Sequence, residues 1–254
     1  MGTQNQVMAR PRKKHVQQEL AWRTHGGKRA GAGRPPKGAR AGQPHTRRPE
    51  HKARNPVQIT IRAADVVGSL RKRDMYLAVR DASITTARRD DFRIVHASVQ
   101  GDHIHLIVEA RSKDAISRGM RGFEISAAMR INNAITRRTG KRRRGSVFSD
   151  RYHLRALTSP RAVKHALAYV LNNWRKHRED RAGLPSTWKI DPFSSGVGFG
   201  GWRELAGAMT LYRPPPTYQA LFVWLPKTWL LREGWTRHGL ISTHEVPGPR
   251  VAGL

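Results

Sequence analysis

Hydrophobic and polar residues fall into a regular pattern only from about residue 55. Val57, Ile59 and Ile61 alternate with Gln58 and Thr60, the period of a half-buried strand. Residues 69–89 place Leu70, Met75, Leu77, Ala78 and Ile84 among charges, which predicts a helix weakened at Ser83–Thr86. Phe92–Val99 reads as a strand, Gln100-Gly101-Asp102 as a tight turn and His103–Glu109 as the returning strand of a hairpin. Ile116, Met120, Phe123, Ala127, Ile131 and Ile135 recur at helical spacing, which predicts a long helix over 114–138 with Gly140 as its stop. Val147-Phe148 and His153–Leu157 suggest further extended chain. Ser159-Pro160 then opens a helix to about Asp180, with serine placed to cap it and proline at its first turn.

The order strand, helix, hairpin, helix, extended segment, helix predicts an α+β fold, an antiparallel sheet covered by helices in the ferredoxin-like manner. It divides the chain into an arm (1–54), a folded domain (55–182) and a C-terminal extension (183–254). The arm is dense in Gly, Pro and basic residues and too poor in large apolar ones to bury a core, so it is expected to be disordered. The extension holds four of the seven tryptophans between Trp202 and Trp235 and reads as short helical pieces without evident chemistry.

Charge changes the picture most. The chain carries 48 Lys+Arg against 18 Asp+Glu, a formal net charge of +30. A polyanion is the expected counterpart of such a balance, and arginine's planar fork suits phosphate. An arginine-rich proteome or a ribosome-associated protein are the plainer explanations. In the arm, Gly33-Arg34-Pro35-Pro36-Lys37 resembles an AT-hook, with Arg34 and Lys37 reaching duplex DNA, although a second proline departs from the usual core. A non-specific basic tether fits the same residues. Lys141, Arg142, Arg143 and Arg144 form a basic loop that grips phosphates or is merely a solvated charged loop. Arg151, in the Arg151-Tyr152-His153 stretch, is a further structural or DNA-facing position.

The absence of cysteine excludes disulfides, thiolate metal sites and cysteine nucleophiles. No apolar run approaches the roughly 20 residues of a membrane helix, and the first residues lack the apolar core of a signal peptide. The expectation is a cytoplasmic, DNA-associated protein with no membrane partner.

Within that frame one stretch carries chemistry. In GDHIHLIVEA, His103 and His105 share one face of a strand while Ile104 and Leu106 face the other, toward a helix. Two adjacent imidazoles can share a divalent cation, though an arbitrary His-x-His is more often an ordinary outward-facing strand. On the helix from 160, Val163, Ala166, Leu167, Val170, Leu171 and Trp174 form an apolar stripe. Tyr169 and Asn173 stand four apart on its flank, with His165 one turn earlier. Asn173 offers an amide oxygen of the kind Mg²⁺ or Mn²⁺ accepts.

The segments SVQGDHIHLIVEA, GSVFSDRYHLRAL and HALAYVLNNWRKH, in this order and spacing, resemble the REP-associated tyrosine transposases of the HUH single-tyrosine superfamily, over about residues 55–180. The resemblance implies His103 and His105 as metal ligands, Tyr169 as nucleophile, and Asn173 where relatives place a Gln or Asn that helps hold the metal. Many relatives have Asn-Pro where this chain has Asn173-Trp174. It further implies Mg²⁺ or Mn²⁺ as cofactor and single-stranded or hairpin DNA of REP type as partner. The expected activity is strand cleavage and rejoining through a 5′-phosphotyrosine intermediate, by a monomer or a homodimer. Tyr152 is a rival nucleophile. A non-cleaving hairpin- or promoter-binding relative and a nuclease that activates water are the competing functions.

Overall fold

The computed structural model describes residues 48, 50–179, 189–207, 211 and 213–245. The arm positions Arg34 and Lys37 lie outside the described residues. Four strands, β1 (Val57–Arg62), β2 (Phe92–Val99), β3 (His103–Ala110) and β4 (His153–Ala156), form one antiparallel sheet in the order β2-β3-β1-β4. The helices are α1 (Arg73–Thr85), α2 (Lys113–Thr139), α3 (Pro160–Lys176) and the single turn α4 (Trp229–Arg232). The fold is the α+β arrangement expected from the pattern of elements, with helices on both faces.

Local chemistry sets the helix ends. The Ser112 and Ser159 hydroxyls accept hydrogen bonds from the Ala115 and Ala162 amides, so both long helices start on a capped backbone. Gly140 stops α2 in the left-handed region at φ 69°, where a side chain would be strained. Gly119, inside α2, is required by proximity instead: a β-carbon there would stand 2.3 Å from the Phe92 ring.

Each face of the sheet carries its own core. Val57, Ile59, Ile61, Ile104 and Leu106 pack beneath α1 and α2 against Met75, Phe123 and Ile131. Ile107 and Val95 pack on the opposite face beneath Leu167 and Leu171 of α3. A bulge between Ile94 and His96 shifts the register of β2, so that Phe92 and Ile94 share a core with Ala97 and Val99 while Val95 joins the other. Strict alternation through 92–99 does not reveal this bulge.

The segment after 189 completes the second core. Trp202, Trp235 and Ile241 are buried beside α3. The same segment covers the edge of β2: Val99 donates to the Phe193 carbonyl, Trp224 to the Ile94 carbonyl, and the Lys227 and Thr228 amides donate to the buried Glu109 carboxylate. Covering an edge strand in this way removes a row of unpaired backbone groups.

A half-buried carboxyl stands on α2 itself. Glu124 has one oxygen without a hydrogen-bond partner, and burial pushes its carboxyl up to about 7, against the pull of Arg48. An unfolded chain releases this proton near 4.5. Between the two values only the folded chain keeps it, so stability falls as pH rises through that window. Glu124→Gln should leave the melting temperature unchanged at pH 4 and raise it at pH 8, as read from thermal melts.

Candidate active site

Strand parity places the site. On the face of β3 toward α3 stand His103 and His105, both buried, their rings 4.5 Å apart. Helix α3 runs across β2 and β3 and brings Tyr169 and Asn173 to the same pair. The Tyr169 ring meets His105 edge to face at 5.1 Å, and Nδ2 of Asn173 lies 3.3 Å from Nε2 of His103. Tyr169 is half-buried, whereas Asn173 is wholly buried.

The outer nitrogens of both rings are tethered. His103 Nδ1 is 2.5 Å from an Asp102 oxygen and His105 Nδ1 is 3.0 Å from Thr60 Oγ1. The Asp102 carboxylate accepts from Nδ1 and so turns the Nε2 lone pair of His103 inward, while the Thr60 hydroxyl holds the His105 ring in place. Nε2 of His105 and Oδ1 of Asn173 are buried with no hydrogen-bond partner. Orphaned acceptors are costly inside a protein. A divalent cation bound by the two Nε2 atoms and this amide oxygen would satisfy them, so the residues fit one. Among the described residues no cluster of three or more His, Cys, Asp or Glu is arranged to hold an ion.

Electrostatics agree with a ligand role. Burial, reinforced by the neighbouring His103, His177 and Lys176, holds His105 well below the usual histidine range, so its imidazole is neutral at physiological pH. Burial and His103 lower His177 likewise. Burial pushes Asp102 up, but the hydrogen bond and charge of His103 prevail and hold it below the usual carboxylate range.

Beside the cluster the sheet is open. Gln58 and Thr60 of β1, opposite Arg155 and His153 of β4, floor a groove of about 350 Å³ whose wall is His165, Ala166 and Tyr169. A chain lying in it would pass the Tyr169 side chain. Tyr152, the rival tyrosine, belongs instead to the core under α1 and α2 and carries the Arg48 guanidinium on its ring at 3.6 Å.

The basic loop is divided in its use. Arg143 is turned inward on Asn132 and on the Ser146 carbonyl, whereas Lys141, Arg142 and Arg144 are exposed. The loop returns along the sheet end that holds His103: Ser149 donates to the Arg62 carbonyl, and Arg62 is paired with His103. Arg151 is exposed, its amide bonded to Asp150.

Four neighbours escaped the sequence reading. Thr60 and Arg155 follow from the parity of β1 and β4, which sets Gln58, Thr60, His153 and Arg155 on the histidine face. His177 continues the row His165, Tyr169, Asn173 by four more residues, and its ring lies 5.0 Å from His103. Lys176, whose ammonium stands 5.0 Å over the Tyr169 ring, gave no sequence signal beyond its charge.

Comparison with known proteins bears on this arrangement. No curated protein matches the chain. A solved REP-associated tyrosine transposase bound to a REP hairpin is similar at 20% identity, over 73% of this chain and 96% of that one, with a TM-score of 0.43. The family model described as "Transposase IS200 like" matches residues 67–173, from the turn before α1 to Asn173. Both histidines and the tyrosine of the cluster fall inside that match, so the part of the chain that builds the cluster is similar to the IS200-like transposases.

Proposed function

We propose that this chain is a single-strand DNA transposase that cleaves and rejoins hairpin-associated DNA through a 5′-phosphotyrosine link at Tyr169, with Mg²⁺ or Mn²⁺ as cofactor. One observation carries the reading: a tyrosine at the edge of an open, basic groove stands against a histidine pair beside which His105 Nε2 and Asn173 Oδ1 are buried without partners.

The residues divide the work. Arg155 and the exposed Arg142 and Arg144 bind the phosphate backbone and lead a strand through the groove. His103, His105 and Asn173 would hold the cation, which when bound would draw charge from a phosphate oxygen and make the phosphorus more electrophilic. Asp102 and Thr60 orient the two rings. The Tyr169 oxygen then attacks phosphorus. The bond from phosphorus to the 3′-oxygen breaks, that oxygen leaves as a 3′-hydroxyl with a proton, and the phenol proton passes to solvent. Lys176 sets positive charge over the ring as the phenol becomes an ester. The new ester preserves the phosphodiester energy, so a second 3′-hydroxyl can reverse the step and join a new strand. REP-type hairpin DNA is the proposed substrate class because the three quoted segments resemble REP-associated transposases. The basic residues of the first 54 positions and the exposed loop suit duplex and single strand alike.

A denaturing gel tests the reading. With 3′-end-labelled hairpin DNA and Mn²⁺, label should migrate with the protein and vanish when a chelator is added. With 5′-end label, the same reaction should release a free fragment ending in a 3′-hydroxyl. Cleavage without protein-bound label would show water as the nucleophile, and binding without cleavage would show a DNA-holding relative.

The groove floor makes a separate expectation. Arg155→Ala should weaken single-strand binding several-fold and reduce the slope of log affinity against log salt by about 1, one phosphate contact. Filter binding across a salt series reads both.

A further inference from the structure

The histidine pair and the tyrosine sit on different elements, and their spacing needs something to hold it. Arg71, between the β1 strand and α1, joins three segments. Its Nε lies 2.7 Å from Glu179 Oε2, just beyond α3. Its Nη1 and Nη2 each lie 2.9 Å from the wholly buried Asp191 carboxylate, and Nη1 also donates to the Val99 carbonyl at the end of β2. The guanidinium stacks over the Phe193 ring at 4.2 Å. Paired and planar contacts of this kind fix a side chain far better than a lone charge does.

Glu179 carries the connection onward. Its other oxygen accepts the Gly101 amide at 3.0 Å, in the turn between β2 and β3. Gly101 accepts in turn from the Leu70 amide, next to Arg71. The following residue is Asp102, which orients His103. The chain leaves α3 through Arg178 in the left-handed region at φ 57°, and this bend precedes Glu179. A non-glycine residue rarely sits there unless its surroundings hold it.

We infer that Arg71 and Glu179 form a positioning clamp that ties the end of the tyrosine helix to the turn carrying Asp102 and His103, setting the distance between nucleophile and histidine pair. Neither residue touches the reacting atoms, so the clamp acts through Gly101 and Asp102. The inference rests on the tyrosine mechanism proposed above. A shift of an ångström in a reacting pair costs on the order of a hundred-fold in rate, so loosening the clamp should slow the covalent step without weakening DNA binding.

The test uses the full chain and two variants. Glu179→Ala removes both contacts, while Glu179→Gln keeps one oxygen for the Gly101 amide and loses the ion pair with Arg71. Single-turnover adduct formation on hairpin DNA with Mn²⁺, hairpin affinity and hydrogen exchange of the 99–103 peptide are measured for each. The expected result is an adduct rate roughly ten- to a hundred-fold lower in Glu179→Ala, unchanged affinity and faster exchange at Gly101. Glu179→Gln should recover the protection at Gly101 and fall between the other two proteins in rate. A wild-type rate in Glu179→Ala overturns the clamp, and so does a rate loss matched by an equal loss of affinity or accompanied by unchanged exchange at Gly101. Failure of the underlying mechanism looks different: wild-type protein itself then forms no adduct, and the positioning role falls with it even if Gly101 exchange responds.

Discussion

Replacing Tyr169 with phenylalanine should abolish the protein–DNA adduct while leaving hairpin binding and folding nearly unchanged. The substitution removes one oxygen from a half-buried ring, and the packing against His105 and under Lys176 stays. Stability should change by no more than about 0.5 kcal/mol, as at other positions with little burial at stake. Loss of the phosphorus acceptor is therefore separable from loss of fold. Tyr152→Phe is the control that distinguishes the two tyrosines. Tyr152 sits in the opposite core with its hydroxyl buried and unpartnered, so its removal should leave the adduct intact. Full activity in Tyr169→Phe together with loss in Tyr152→Phe would reverse the assignment.

The second large effect belongs to the histidines. His105→Ala should slow adduct formation by at least about a hundred-fold, the scale expected when a few kcal/mol of charge stabilisation disappears from the transition state. It should also abolish the rise of rate with Mn²⁺ concentration and weaken Mn²⁺ binding, read independently by electron paramagnetic resonance. Asp102→Asn should do less, roughly ten-fold, because it alters a ring's orientation and basicity while leaving the ligand in place. Equal Mn²⁺ affinity in wild type and His105→Ala would remove the histidine pair from the metal site.

Much of the fold was legible because each element carried its own signal. The hairpin of β2 and β3, the Ser159-Pro160 start of α3 and the Gly140 stop of α2 all follow from short-range chemistry, and all stand within a residue or two of where the pattern puts them. The helix expected over 69–89 is shorter, beginning at Arg73 and passing into a 3-10 turn after Thr85, where β-branched residues compete with the helix. The bulge in β2 and the docking of 189–245 on the sheet edge were not legible, since both are settled by partners far away in sequence. Trp202 and Trp235 look like loose aromatic content in the chain and turn out to complete the core beneath α3.

At the site, strand parity and the i, i+4 rule were enough to put His103, His105, Tyr169 and Asn173 on faces that could meet. What they could not supply was the tethering. That Thr60 holds Nδ1 of His105 depends on the pairing of β1 with β3, whereas Asp102 is the sequence neighbour of the histidine it tethers. The Arg71–Glu179–Gly101 connection joins residues far apart in sequence, and no local pattern announces it. Arg143 makes the same point from the other side: a basic run does not tell which of its members is spent on bracing the loop.

The most direct measurement is mass spectrometry of the wild-type protein after reaction with hairpin DNA and Mn²⁺, nuclease trimming and proteolysis. The covalent mechanism predicts a nucleotide phosphate on the peptide containing Tyr169, joined through the 5′ side of the downstream strand. A modified peptide containing Tyr152, or cleaved DNA with every tyrosine peptide unmodified, would contradict it.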